Sequence, residues 1–213
     1  SVYQQHLNLQ KILINSTMSK RMIFLIFLFG LVGSSTARDF WCMTQNHFVS
    51  GIGRNTKICY VHNCDFEEPS DRRSNSQLTS AVVEFNRCTE LDYIPRGLMD
   101  DFPNLQGLFF DSNNKIATLK GDELYEYTNL KFFRLYDNPI QHIPGNLFSR
   151  NRKLKHLDLE YNDIMSVGME FPDTIRHMKH VYMDGNDCIN MSAENDKTEM
   201  KMLISALKKN CVK

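Results

Sequence analysis

An apolar pattern that returns every 24 or 25 residues constrains this chain more than any other feature. Leu105, Leu108, Phe110 and Asn113 hold the same offsets as Leu130, Phe133, Leu135 and Asn138. Leu154, Leu157, Leu159 and Asn162 repeat them, and so do Met178, Val181, Met183 and Asn186. A weaker copy precedes them, with Val83, Phe85 and Cys88 at the equivalent positions. Ile116, Ile140 and Ile164 trail the asparagine positions, and Ile94-Pro95 and Ile143-Pro144 lie two periods apart. Inside each unit apolar residues alternate with period two, the signature of a strand, and the asparagine falls where the strand must turn. An amphipathic helix array does not produce that alternation.

This is the leucine-rich repeat pattern, with a period inside the range of 20–29 residues. It predicts an α/β leucine-rich repeat solenoid with a short parallel sheet on its concave face, about five repeats over residues 80–190. No repeat can bury its apolar positions alone, so neighbours must stack and share one core. Each Asn side chain is expected to hydrogen-bond free backbone groups of the turn, making a ladder of Asn113, Asn138, Asn162 and Asn186. Such an array has two open ends. Cysteines stand at both: Cys42, Cys59, Cys64 and Cys88 in front, Cys188 and Cys211 behind, with none from Thr89 to Asp187. No CxxC occurs, so the even count reads as three disulfides rather than as a metal site. An N-terminal cysteine cap is expected over residues 38–79 and a helical cap over residues 191–213. Within the latter, Met200, Leu203, Ile204 and Leu207 form one apolar stripe of a helix from about Glu194 to Lys208, held by Cys188–Cys211. Four front cysteines allow three pairings. Cys42–Cys59 across a hairpin and Cys64–Cys88 onto the first repeat are favoured.

The front of the chain reads differently. Met22 to Gly33 is uncharged and apolar, Lys20 and Arg21 precede it, and Ser35-Thr36-Ala37 follows. Charged region, apolar region and small-residue site make a signal peptide over residues 18–37. The apolar stretch is short for a membrane span, which needs about 20 residues. A buried helix or membrane anchor is the other reading. Residues 1–17 would lie ahead of the initiator, as leader or gene-model extension. Cleavage after Ala37 removes only positive charges, and the mature chain becomes mildly acidic. With 25 Lys and Arg against 25 Asp and Glu in the whole chain, nothing in the charge calls for nucleic acid. Asn190-Met191-Ser192 is an N-glycosylation acceptor, compatible with secretion.

The frame also states which side chains leave the concave face. They are the positions alternating with the core residues. The first column runs Val82, Gly107, Phe132, His156, His180. The middle column runs Glu84, Phe109, Arg134, Asp158, Tyr182. The last runs Asn86, Asp111, Tyr136, Glu160, Asp184. Phe109, Phe132, Tyr136 and Tyr182 are aromatic where solvent is expected, which fits a recognition surface; cross-strand aromatic pairing offers a purely structural account. Asp111, Asp158, Glu160 and Asp184 form a carboxylate strip or simply a solvated face. His156 and His180 are expected to be neighbours one strand spacing apart. They offer a response near pH 6 or a divalent-metal contact, although two histidines fall short of a closed site. No metal, cofactor or catalytic residue is expected: GxSxG, HExxH and a P-loop are all missing.

Ile94-Pro95-Arg96-Gly97-Leu98, Phe102-Pro103-Asn104-Leu105, Ile143-Pro144-Gly145-Asn146-Leu147-Phe148 and Asn186-Asp187-Cys188-Ile189-Asn190 together resemble short secreted leucine-rich repeat proteins of flies and mosquitoes. That group looks related to the insect leucine-rich immune proteins. Only Val212 and Lys213 follow Cys211, where the best-known immune members carry a long coiled-coil tail. The resemblance implies a secreted, non-enzymatic protein that recognises another extracellular protein or a microbial surface ligand, with innate immunity as one setting. An adhesive or matrix protein acting by self-association, or an inhibitor of a secreted enzyme, are the alternatives.

Overall fold

The computed structural model describes residues 43–49, 53–62, 79–111 and 115–213. All of the described residues belong to one compact unit, within residues 39–213. The expected leader and signal peptide, Cys42, Cys64 and Asn113 lie outside the described residues. Among the described residues, no helix is long and apolar enough to cross a membrane.

The architecture is a parallel-sheet β-solenoid with few helices. Strands β1 (Met43–Val49) and β2 (Gly53–His62) form an antiparallel hairpin at the front. Then β2, β3 (Val82–Asn86), β4 (Gly107–Asp111), β5 (Phe132–Tyr136), β7 (His156–Asp158) and β9 (His180–Tyr182) run parallel, one per turn. The last strand of this sheet, β10 (Ala193–Glu194), returns antiparallel along β9. Two-residue strands β6 (His142–Ile143) and β8 (Ser166–Val167) make a second small sheet on the return side. Elsewhere the returns hold one-turn helices, Leu98–Asp101 and Phe171–Thr174, and a 3₁₀ turn at Ile175–His177.

The register is the one the repeat demands. Leu108 pairs with Phe133, Phe133 with Leu157 and Leu157 with Val181. These residues and their partners Phe110, Leu135, Leu159 and Met183 are all buried. So are Leu105, Leu130, Leu154 and Met178, and the trailing Ile116, Ile140 and Ile164. Each such side chain removed from water contributes about 1.5–3 kcal/mol. Phe85 stacks on Phe110, and Phe110 meets Phe133 edge-on, so aromatic contact carries the core from turn to turn.

The asparagine ladder is present at Asn138, Asn162 and Asn186, all buried. The amide of Asn162 donates to the carbonyls of Leu135 (2.8 Å) and Leu159 (2.9 Å), one in the preceding turn and one in its own. Asn186 does the same with Leu159 (2.8 Å) and Met183 (3.0 Å). In return, Asn162 Oδ1 accepts from the backbone N–H of Asn138 at 3.2 Å, and Asn186 Oδ1 from that of Ile164 at 3.2 Å. One residue before each asparagine the backbone turns left-handed: Asp137 has φ 55°, Tyr161 φ 53° and Gly185 φ 72°. Only Gly185 adopts that conformation without cost; an L side chain there costs roughly 1–2 kcal/mol. On the return side buried Asn151 makes a similar tie to the carbonyls of Leu124 (3.0 Å) and Tyr127 (2.9 Å).

The two ends are built differently. At the back, the helix runs Lys197–Asn210 and buries Met200, Leu203, Ile204 and Leu207, as its apolar stripe predicts. It starts three residues later than expected. Asn195 turns left-handed and Asp196 caps the helix, accepting from Thr198 N (2.7 Å) and Glu199 N (2.9 Å), which leaves Glu194 in β10. The Cys188–Cys211 disulfide ties this helix to the last turn. At the front, β2 joins the parallel sheet, Ile58 opposite Val82 through His62 opposite Asn86. Cys59 and Cys88 are buried and disulfide-bonded.

Replacing Asn162 by Ala takes the side-chain partner from the Leu135 carbonyl of the preceding turn and from the Asn138 N–H, while the Leu159 carbonyl keeps Asn186. Each costs about 1–3 kcal/mol. Chemical denaturation should therefore show a loss of about 2 kcal/mol or more, and a loss under about 1 kcal/mol would mean that the ladder contributes no more than one ordinary hydrogen bond. Asp137→Gly, at a left-handed position, should instead stabilise by up to about 1 kcal/mol.

Candidate functional site

The parallel register brings the predicted columns together on the sheet face opposite the core. Phe132 stands beside His156 and His156 beside His180. Their rings stack, with centroids 4.3 Å apart for Phe132–His156 and 4.2 Å for His156–His180. That spacing is closer than the strand separation of about 4.8 Å, so the three rings lean into continuous contact. The Tyr182 ring lies 6.3 Å from that of His180.

In the middle column Arg134 bridges two turns. Its guanidinium is 3.1 Å from Asp111 Oδ2 and 3.1 Å from Asp158 Oδ2. It also lies 4.8 Å from the centre of the Tyr136 ring. Tyr136 in turn meets Tyr161 edge-on at 5.3 Å. A carboxylate on either side and a ring against it hold the arginine in one orientation. Glu160 and Asp184 continue the acidic strip, and Asp184 accepts a hydrogen bond from Ser192.

Two of the predicted positions are not solvent-facing. Phe132 is 7% exposed and Asp111 9%. For Phe132 the cause is its flat stacking on His156; for Asp111 it is enclosure beside Arg134. The first column is also closed in its front half. Val82 is fully buried, and at Gly107 a Cβ would stand 2.9 Å from Val82 Cγ2, so only glycine fits there without displacing that side chain. Phe109, Arg134, Tyr136, His156, Asp158, Glu160, His180, Tyr182 and Asp184 are half-buried, open on one side.

Two residues were not marked by the frame. Tyr161 is 55% exposed, brought beside Tyr136 by its left-handed turn, which no periodicity reveals. Glu194 pairs opposite His180 because β10 doubles back.

Burial sets the electrostatics. It pushes the Asp111 carboxyl up to about 7, against the pull of Arg134 and with help from Glu84 and Asp158. Asp158 is raised by burial as well. Glu160 is raised by burial and then by Asp158 and Asp184. Burial, then His180 and Lys179, lower His156 to about 4. The expected response near pH 6 therefore does not reside in His156, which is neutral there. Among the described residues, no group of three or more His, Cys, Asp or Glu side chains is placed to hold a metal ion. What the face offers is a partly buried stack of rings flanked by a fixed arginine and carboxylates.

The two shifts act on stability with opposite sign. A raised carboxyl means that the native state binds its proton more tightly. The stability from Asp111 is complete below its ordinary value of 3.8 and lost as pH rises through about 7. The depressed His156 contributes above 6.5, and its contribution is lost as pH falls through about 4. Between these limits they oppose each other. Asp111→Asn should therefore make stability rise with pH over that window, and His156→Gln should make it fall, as followed by urea denaturation at a series of pH values. Parallel slopes in both variants and the unsubstituted protein would contradict these assignments. No protein-family model matches the chain and no curated protein matches it, so the chemistry of the site is read from its geometry.

Proposed function

We propose that this is a secreted leucine-rich repeat protein whose concave sheet face binds an extracellular protein or a microbial surface ligand. Leucine-rich repeat identity is supported by the 24-residue frame, in which each turn contributes one parallel strand, one buried asparagine and one irregular return. The observation that carries the binding role is the half-open stack of Phe132, His156 and His180 beside Arg134, Tyr136 and Tyr182. Aromatic and arginine side chains held rigid on one face lose little entropy on binding and are the usual anchors of an interface. Acidic residues beside them, Asp158, Glu160 and Asp184, favour a partner with basic groups.

Secretion accords with the signal-like segment, with the Cys188–Cys211 disulfide and with the exposed Asn190, whose Oδ1 accepts from Gly185 N at 2.8 Å. In this reading disulfides cap both ends, and innate immunity is one setting for the recognition.

Fluorescently labelled protein secreted from insect cells should bind some members of a panel of killed bacteria and fungi or of extracellular fluid proteins. Tyr182→Ala combined with His156→Ala should weaken that binding about thirtyfold, the loss of roughly 2 kcal/mol expected for an interface anchor. Met169→Ala, far from the face in sequence and exposed, should not. Equal binding by all three proteins would remove the concave face from the reading. Intact mass with and without reduction tests secretion: a reduced or uncleaved chain would remove the extracellular setting.

A further inference from the structure

A second surface lies at the start of the same strands, directly before the column of stacked rings. Just before each strand the chain crosses one edge of the sheet, and there the turns are joined by backbone hydrogen bonds. Lys131 N donates to Gln106 O (2.7 Å), Lys155 N to Lys131 O (2.9 Å) and Lys179 N to Lys155 O (2.8 Å). Lys131, Lys155 and Lys179 therefore form a column with a spacing of roughly 4.8 Å per turn. Two positions earlier in each turn stand Asn104, Asn129, Lys153 and His177. The ammonium of Lys153 donates to Asn129 Oδ1 at 2.6 Å. Before these come Arg152 and Arg176.

The charge of this edge is of one sign. Across residues 103–106, 128–131, 152–155 and 176–179 there is no Asp or Glu, against four lysines and two arginines. Arg176 is paired with Asp173, at 2.7 Å. None of the ion pairs among the described residues involves Lys131, Lys153, Lys155 or Lys179. The acidic strip begins about one screening length away: from Lys155 to Asp158 is three residues, roughly 10 Å at the rise of an extended strand, and Glu160 lies farther, at roughly 16 Å. One carboxylate comes nearer, Glu194, at the Lys179 end of the column. An open pocket lies between the first turns of this edge, lined by Pro103, Asn104, Gln106, Asn129, Lys131 and Lys153.

We infer that this edge binds a linear sulfated polysaccharide laid along the solenoid axis, with sulfates on the lysine column and sugar hydroxyls on the amides of Asn104, Gln106 and Asn129. The charge is complementary and the donors repeat in a line, one set per turn. A nucleic acid fits less well: no Phe, Tyr or Trp occurs at these sixteen positions to stack on a base. The site shares no residue with the ring-bearing face, so its failure and that of the concave-face reading are separable.

The test is calorimetric titration of the full chain with a heparin-derived octasaccharide at about 50 and about 200 mM NaCl. The unsubstituted protein binds, and weakens about tenfold or more over that range, as expected when three or more contacts release counterions. Lys131→Gln, Lys155→Gln and Lys179→Gln together weaken binding at least tenfold with an unchanged thermal midpoint. The corresponding arginine triple keeps it, and Lys201→Gln with Lys209→Gln on the C-terminal helix leaves it unaltered. Absence of binding at low salt, or equal weakening by the helix pair, overturns the proposal. Equally tight binding of a single-stranded oligonucleotide of the same charge overturns the assignment to a saccharide.

Discussion

A buried asparagine amide that must find carbonyl partners in two turns at once is the interaction on which the rest of this molecule depends. A strand of three to five residues cannot close its own ladder, and its end leaves carbonyls facing the interior. Asn162 answers the carbonyls of Leu135 and Leu159, and its own oxygen takes the N–H of Asn138. The next asparagine bridges the carbonyls of Leu159 and Met183 in the same way, while its oxygen takes the N–H of Ile164, two residues past Asn162. A turn without its neighbour would expose both these polar groups and the Leu positions beneath them, which is why stability is shared along the array. The left-handed residue before each asparagine is the cost of aiming that side chain inward. Asp137 and Tyr161 bear it without being glycine because the surrounding hydrogen bonds over-determine the turn.

The same constraint builds the outer face. Once the turns are locked in register, whatever occupies an outward position is forced against its counterpart one strand away. Phe132, His156 and His180 stack for this reason. Arg134 reaches two carboxylates because Asp111 and Asp158 stand in the flanking turns of its own column. Contact then removes water, and the loss of water moves the protonation equilibria of Asp111 and His156 in opposite directions. Repetition thus converts single residues into rows, rings on one side of the face, carboxylates on the other and lysines along the edge.

Much of this was legible in the sequence, because the period-two alternation inside a 24-residue repeat determines both register and facing. The core residues, the columns and the ladder positions at Asn138, Asn162 and Asn186 follow from it, and the Cys188–Cys211 tie follows from two cysteines that bracket an apolar helical stripe behind the last repeat. What did not follow lies where the pattern stops. Strand β2 joins the sheet with Cys59 and Val61 at the core positions and no leucine. The two-residue strands β6 and β8 are too short for any alternation. Facing also differs from exposure: Phe132 and Asp111 point away from the core, yet their neighbours cover them. Tyr161 reached the face through a backbone angle that L residues seldom adopt.

Hydrogen exchange measured by NMR at the amides of Asn138 and Ile164 tests the ladder most directly. Neither amide belongs to a strand, and each is bonded only to the side-chain oxygen of an asparagine in the following turn. If those asparagines hold the turns together, both amides exchange as slowly as those of the core strands, because they open only when the array opens. Exchange at the rate of exposed loops would show that the asparagines are bystanders and that apolar stacking alone joins one turn to the next.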